Sequence, residues 1–168
     1  AASDVYKRQM IYLDNGATSF PKPRGMTAEM EDCILHYCGN PGRSGHFMSM
    51  KTGEKIYSAR KAAAELFHIQ NPERIIFTKN TTESLNLAMR GYLREGDHVV
   101  TTSMEHNSVL RPLKALESCG ISHTIVTADS TGLVHIEDLA AAVRENTVML
   151  VMTAASNVTG TLQPIFEA

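Results

Sequence analysis

Two adjacent threonines stand at a point where the sequence predicts that a helix begins. Asn80 is a residue type that caps helices, and Glu83, three positions on, completes a capping-box pattern. The hydroxyls of Thr81 and Thr82 would lie beside unpaired backbone N–H groups at the positive end of the helix dipole, where a phosphate group is stabilised. The same residues also fit an ordinary capped helix start. The sequence has no Gly-x-Gly-x-x-Gly run, so nothing supports dinucleotide binding.

Two more polar side chains follow predicted strands. His106 could stack on a planar ligand or transfer protons near neutral pH, and it could equally cap its own loop. Asn157 offers hydrogen-bond donors and an acceptor, although asparagine close to a glycine such as Gly160 is also common in turns. Because ligands of open α/β sheets bind outside the carboxyl ends of the strands, we expect Thr82 and His106 to share one hollow.

The loop of residues 39–46 carries Arg43 and His46. These side chains could reach an anion or a neighbouring subunit, or they could be solvated. The loop lacks the Gly-Lys-Ser/Thr ending of a nucleotide-binding P-loop.

Metal binding has little support in the sequence. Cys33 and Cys38 are five residues apart on a predicted helix, a spacing that should place them on different faces, and there is no His-Glu-x-x-His pattern. With Cys119 the cysteines number three, an odd count that favours reduced thiols over a disulfide framework. We predict no metal site.

Length and composition limit the classes of protein to consider. The 168 residues suit one ordinary domain or part of a larger one, and 43% hydrophobic residues can form a core. A net charge of −2 gives no reason to expect nucleic acid as a partner, and no apolar run is long enough to cross a membrane. We expect a cytoplasmic protein whose natural start is Met10, with residues 1–9 a non-native leader that carries no secretory signal.

The elements that must position these residues alternate along the chain. A weak helix is predicted over 25–37 and a clear one over 51–68, in which Ile56, Leu66 and Phe67 share an apolar face. Strands are predicted over 74–78, 98–102, 122–127 and 147–152, with helices from Thr81 and over 107–118 and 136–143 between them. This alternation predicts an α/β domain with a mostly parallel sheet, and we expect that sheet to be unfinished at Ala168.

Five motifs resemble those of the class V aminotransferase-fold enzymes that use pyridoxal phosphate, most closely the cysteine desulfurases. They occur in family order and cover nearly everything from Met10 to Ala168. The motifs are Tyr12-Leu13-Asp14-Asn15-Gly16-Ala17-Thr18, Gly39-Asn40-Pro41, Phe77-Thr78-Lys79-Asn80-Thr81-Thr82-Glu83-Ser84-Leu85-Asn86-Leu87, Met104-Glu105-His106-Asn107-Ser108 and Ser156-Asn157-Val158-Thr159-Gly160.

The resemblance implies a fold and a set of cofactor contacts. The fold would be the three-layer large domain of fold-type I pyridoxal-phosphate transferases, with a mostly parallel (mixed) sheet that is truncated before completion. Residues 10–50 would form an amino-terminal arm, helix and loop, and residues 51–168 part of the cofactor-binding domain. Thr81 and Thr82 would bind the phosphate of pyridoxal 5′-phosphate. His106 would stack on its ring and transfer protons, and Asn157 would hydrogen-bond its phenolic oxygen.

By the same resemblance, Asn15, Gly16 and Ala17 would line the substrate side, and Arg43 and His46 would act in the partner's site of a homodimer. The sequence departs from the family pattern twice. Gly16 stands where alanine is common, and Asn80 where glycine is common; neither change removes a cofactor contact.

The resemblance also implies what should lie beyond Ala168: the Schiff-base lysine, the aspartate that pairs with the pyridine nitrogen, and the nucleophilic cysteine. Lys79 does not match the lysine, and none of the three cysteines matches the nucleophile. The intact protein would convert L-cysteine to L-alanine and an enzyme-bound persulfide, with a sulfur-acceptor protein as a further partner, and this fragment would be inactive.

Three alternatives stay open. The intact protein could be a class V aminotransferase or a selenocysteine lyase on the same scaffold. The chain could be a non-catalytic binding module, or a flavodoxin-like binder of phosphate ligands, which would not need the Asn15-Gly16-Ala17 opening or His106.

Overall fold

The computed structural model describes residues 11–43 and 45–168. The chain divides into two compact units, the first ending at Phe77 and the second beginning at Thr78. The expectations about a leader over residues 1–9 and a start at Met10 lie outside the described residues. In the described part of the chain, no helix combines the length and apolar character needed to cross a membrane.

The first unit is helical. Its elements are α1 (Met26–Asp32), a π-helical turn (Cys33–Tyr37), α2 (Phe47–Leu66) and a 3-10 turn (Pro72–Arg74). The predicted helix over 51–68 begins earlier than expected because His46 caps it: the His46 Nδ1 accepts a hydrogen bond from the Ser49 N–H at 3.3 Å. Both helices predicted in this part of the sequence are confirmed.

The apolar face predicted for α2 is present but uncovered. Leu66 is 72% exposed and Phe67 67% exposed, whereas Ala64 is buried. A helical period identifies which side of a helix is apolar, but it does not show whether another element packs on that side.

The second unit is built on a three-stranded parallel sheet. Its elements are α3 (Thr81–Tyr92), β1 (His98–Thr102), α4 (Asn107–Leu116), β2 (Ser122–Val126), α5 (Ile136–Ala142) and β3 (Thr147–Val151), with strand order β2-β1-β3. The central strand β1 pairs in parallel with both neighbours, with His98 opposite Ser122 and opposite Thr147. These three predicted strands and the parallel sheet are confirmed.

Helices cover both faces of this sheet. Successive side chains of β1 point to opposite faces, so neighbouring residues of the strand pack against different helices. Val99 packs in a cluster with buried residues of α3 and α4, such as Met89 and Leu113. Val100 packs on the other side with Leu139 of α5 and with Val134, which precedes that helix. Two helical layers around a parallel sheet give the predicted α/β architecture.

The strand predicted over Arg74–Thr78 is wrong. Arg74 ends a 3-10 turn, Ile75 has an extended backbone, and Ile76 and Phe77 are 66% and 55% exposed. None of the described strands pairs with this segment. β-branched and aromatic residues favour a strand only where a neighbouring strand accepts the backbone hydrogen bonds and packs on the side chains.

Candidate functional site

The start of α3 leaves several hydrogen-bond donors free. The Asn80 Oδ1 accepts from the Glu83 N–H at 2.9 Å, and the Glu83 Oε2 accepts from the Lys79 N–H at 2.7 Å, so the capping box is formed with its return bond one residue earlier than usual. Within the described residues, the N–H groups and hydroxyls of Thr81 and Thr82 have no acceptor. Free donors at the positive end of a twelve-residue helix are suited to an anion.

His106 follows β1 and caps α4. Its Nδ1 accepts from the Ser108 N–H at 3.1 Å and contacts the Ser108 hydroxyl at 2.9 Å. A ring nitrogen that accepts a backbone N–H carries no proton, so in this geometry the neutral ring has its proton on Nε2. Capping and a functional role are therefore compatible, because Nδ1 holds the ring in place while Nε2 has no partner among the described residues.

Thr82 and His106 line the same hollow, as the position of the strand ends predicted. This first hollow has a volume of about 350 Å³ and lies between α3 and α4. Its lining is Thr82, Asn86, Arg90, His106, Asn107, Ser108, Arg111 and Pro112. Thr81 is exposed at the start of α3 and does not line it.

A second hollow of about 380 Å³ adjoins the first. It is lined by residues 103–107, which follow β1, and by residues 156–159, which follow β3. His106 and Asn107 line both hollows. Thr82 and Asn157 thus line two different hollows that share His106.

A tight turn presents Asn157 to the second hollow. The Ser156 Oγ accepts from the N–H groups of Val158 and Thr159, both at 3.2 Å, and the Ser156 carbonyl accepts from the Gly160 N–H at 2.9 Å. Gly160 has a φ of 73°, in the left-handed region that glycine adopts without strain. The turn is fixed by Ser156, so the Asn157 amide is left without a partner among the described residues.

Glu105 is a site residue whose role the sequence did not indicate. Its Oε1 accepts from the Thr102 hydroxyl at 2.8 Å and from the Thr153 N–H at 2.7 Å, which ties the end of β1 to the segment after β3. The partner N–H is 48 residues away, so no local pattern could reveal it. The one indication in the sequence was a carboxylate three residues after a predicted buried strand.

The substrate-side predictions all belong to the first unit. Asn15 forms a local turn in which its Oδ1 accepts from the Phe20 N–H at 2.9 Å, and the N–H of Ala17 donates to the Asp14 carbonyl. Gly16, in the same turn, is exposed.

The two loop residues Arg43 and His46 also lie in the first unit. Arg43 is exposed, and His46 caps α2. Their roles toward a substrate stay predictions.

The cysteine prediction needs one correction. Cys33 opens the π-helical turn, whose i→i+5 hydrogen bonds bring positions five apart to the same side, and Cys38 ends it. Burial, and next to it the nearby Cys38 thiol, raise the pKa of Cys33. The two thiols are therefore neighbours and not on different faces. Over residues 11–43 and 45–168 no group of three or more His, Cys, Asp or Glu side chains could hold a metal ion.

Comparison with known proteins gives a consistent picture. The family model for aminotransferase class V matches residues 11–168. The chain is 36% identical over 160 residues to the cysteine desulfurase IscS of Vibrio campbellii, covering 92% of this chain and 39% of that protein. It is 32% identical over 169 residues to the mitochondrial cysteine desulfurase of Candida maltosa, covering 98% of this chain and 34% of that protein.

A solved structure described as SspA in complex with cysteine matches with a TM-score of 0.83 at 31% identity, over 94% of this chain and 46% of that one. The chain thus spans between a third and a half of the length of these relatives.

Proposed function

The chain belongs to the class V aminotransferase family, and on that premise we propose that its two adjoining hollows hold pyridoxal 5′-phosphate around His106. The supporting observation is that His106 lines both hollows, with Thr82 in one and Asn157 in the other. The residues fit the group: free N–H and hydroxyl donors suit a phosphate, an oriented imidazole suits a planar ring, and a free amide suits a phenolic oxygen.

Each residue has a defined task in this proposal. Thr81 and Thr82 bind the phosphate through the backbone N–H groups and hydroxyls at the start of α3. His106 keeps its proton on Nε2 and presents its ring as a stacking surface, because Nδ1 is engaged by Ser108. Asn157 donates a hydrogen bond to the phenolic oxygen. When bound, the cofactor supplies an electron-withdrawing ring that eases removal of a proton beside a substrate amino group.

For the natural protein that carries this chain we propose cysteine desulfurase activity, in which L-cysteine gives L-alanine and an enzyme-bound persulfide. Relatives named cysteine desulfurases match over almost the whole chain, and the matching structure of SspA was solved with cysteine. Lys79 is exposed and lines neither hollow, which supports a Schiff-base lysine elsewhere. We place that lysine, the pairing aspartate and the persulfide cysteine beyond Ala168, and expect the chain alone to be inactive.

The remaining parts of the proposal concern assembly and location. We propose a cytoplasmic homodimer in which Arg43 and His46 serve the partner's site, with a sulfur-acceptor protein receiving the persulfide sulfur. The division into an arm over 10–50 and a partial cofactor-binding domain over 51–168 belongs to the same proposal.

Product analysis of the natural protein tests the proposed activity. With pyridoxal phosphate, L-cysteine and a thiol reductant, we expect alanine and sulfide in equal amounts. Transfer of the amino group to a 2-oxo acid without sulfide would identify an aminotransferase, and turnover restricted to selenocysteine would identify a selenocysteine lyase. Sulfide release that survives replacement of the downstream cysteine would contradict the persulfide route. No turnover of any amino acid would favour a binding module.

A further inference from the structure

The first hollow carries two positive charges that the proposed cofactor contacts at Thr81, Thr82 and His106 do not use. Arg90 of α3 and Arg111 of α4 both line it, and none of its lining residues is acidic. Thr82, the proposed cofactor contact, lines the same hollow. Two guanidinium groups that line one hollow without a carboxylate give it a positive potential that attracts an anion.

The structure orients the guanidinium of Arg90. Thr82, Asn86 and Arg90 follow one another at four-residue spacing and so form one ridge of α3. The Asn86 Nδ2 donates to the Thr82 carbonyl at 2.9 Å, and the Arg90 Nε donates to the Asn86 Oδ1 at 3.2 Å. These bonds occupy Nε and leave the two terminal nitrogens of Arg90 as donors.

Arg111 faces this ridge from α4. Its guanidinium has no hydrogen-bond or ion-pair partner within the described residues. Lys114, on the same helix but outside the hollow, is paired: its Nζ lies 2.6 Å from the Glu117 Oε2. The unpaired cation of α4 is therefore the one that lines the hollow.

One phosphate at the start of α3 does not need all of these donors, because the N–H groups and hydroxyls of Thr81 and Thr82 can bind it. Eight residues put about 12 Å of helix axis between the backbones of Thr82 and Arg90. The Arg90 side chain covers part of this distance and is held at Asn86. A phosphate bound by the N–H groups of Thr81 and Thr82 leaves the terminal donors of Arg90 for another group. Guanidinium groups bind carboxylates and phosphates through paired N–H donors, so the unfilled position suits an oxyanion.

We propose that Arg90 and Arg111 form a second anion site, which binds the carboxylate or phosphate group of a small ligand beside the cofactor phosphate. The site depends only on the α3–α4 groove and does not require that the protein be a desulfurase. Loss of either arginine should weaken anion binding there much more than it weakens binding of the cofactor, whose phosphate keeps the N–H groups and hydroxyls of Thr81 and Thr82.

Nuclear magnetic resonance of the full chain tests this proposal. The probes are inorganic phosphate and, in a parallel titration, citrate as a carboxylate, both at low ionic strength because salt screens exposed charges. The arginine Nε–H signals of Arg90 and Arg111 should shift together with either probe. Arg111→Gln and Arg90→Gln should each weaken the affinity reported at the remaining arginine on the order of tenfold, as loss of a charge-assisted pair of hydrogen bonds implies.

Matched variants complete the experiment. Arg111→Lys keeps the charge without the paired donors and should give an intermediate affinity, whereas Lys114→Gln removes a cation of α4 outside the hollow and should have no effect. Equal weakening by Lys114→Gln and Arg111→Gln would show general charge attraction and overturn the site.

Two further outcomes would also overturn it. One is a phosphate response confined to the N–H groups of Thr81 and Thr82. The other is a change of oligomeric state in Arg111→Gln without anion binding, which would assign the groove to a protein contact. Saturable binding of pyridoxal phosphate by Arg111→Gln, followed by titration calorimetry, separates failure of this site from failure of the proposed function.

Discussion

β1 in the second unit and α2 in the first are both rich in apolar side chains, yet only β1 is covered on both sides. Val99 and Val100 are buried in separate clusters on opposite faces of the sheet. Leu66 at the end of α2 and Phe67, which follows it, stay mostly exposed. Burial of apolar area is the main favourable term in folding, so the second unit should contribute most of the stability of the chain. The first unit depends more on local caps such as His46.

The largest expected effect tests this contrast directly. Leu113 is fully buried between α3, α4 and β1, and Leu113→Ala should lower the free energy of unfolding by about 2–5 kcal/mol, because it removes buried methyl groups and leaves a cavity. The matched change Leu66→Ala on α2 removes the same atoms from an exposed position and should change it by less than about 0.5 kcal/mol. Urea unfolding of both variants measures the difference. Equal losses would show that the first unit is as well packed as the second.

A smaller effect is expected at the polar contacts. Glu105→Ala should cost about 1–3 kcal/mol, because the Thr102 hydroxyl and the Thr153 N–H lose their acceptor in a partly buried place. Asn15→Ala, which removes one exposed local hydrogen bond in the first unit, should cost far less. Thermal unfolding of the two variants compares them, and Glu105→Gln should recover most of the loss because it keeps an acceptor oxygen. An unchanged melting temperature for Glu105→Ala would mean that the tie across the sheet is not needed for stability.

The smallest effect is a pH dependence. His98 is fully buried in β1, where its ring nitrogens lie 2.7 Å from the Thr147 Oγ1 and 2.9 Å from the Thr124 Oγ1. Burial first, then the positive charge of Arg144, lower the pKa of His98 from its usual 6.5. The unfolded chain then binds the proton more readily than the folded chain. The contribution of neutral His98 to the free energy of unfolding is therefore fully present above pH 6.5. It is lost as the pH falls from 6.5 toward the lower pKa that His98 has in the folded chain.

Unfolding measured from pH 8 to pH 5 checks the sign. The free energy of unfolding should decrease as the pH is lowered from 8 to 5. His98→Asn should reduce this dependence on pH. A stability that rises toward pH 5, or an equal slope in His98→Asn, would contradict the assignment.

The contrast between covered and uncovered apolar residues also explains which elements could be predicted from the sequence. The segments 98–102 and 74–78 have similar composition, and only the first forms a strand, because β1 has neighbours on both sides and Ile76 has none. The adjacency of Cys33 and Cys38 was missed because a π-helical turn does not follow the 3.6-residue period.

For the candidate site, the placement of Thr82, His106 and Asn157 around the two hollows could be predicted, because each lies in a segment that follows a strand or opens a helix in a parallel α/β pattern. Glu105 and Arg111 were not, because their significance depends on residues from other elements. Arg90 lies within a helix and would be taken for a solvated residue. Only its eight-residue spacing from Thr82, which places both residues on one ridge of α3, indicated that Arg90 could line the same hollow.

The most direct test of the account is the affinity of the full chain for pyridoxal 5′-phosphate, followed by titration calorimetry and by the amide signals of Thr81 and Thr82. Thr82→Val, His106→Ala and Asn157→Ala should each weaken binding severalfold or more, whereas Thr127→Val, an exposed threonine that lines neither hollow, should bind like the parent chain. We expect the loss of affinity to be confined to the variants of Thr82, His106 and Asn157. Unchanged affinity in all three, or an equal loss in Thr127→Val, would contradict it.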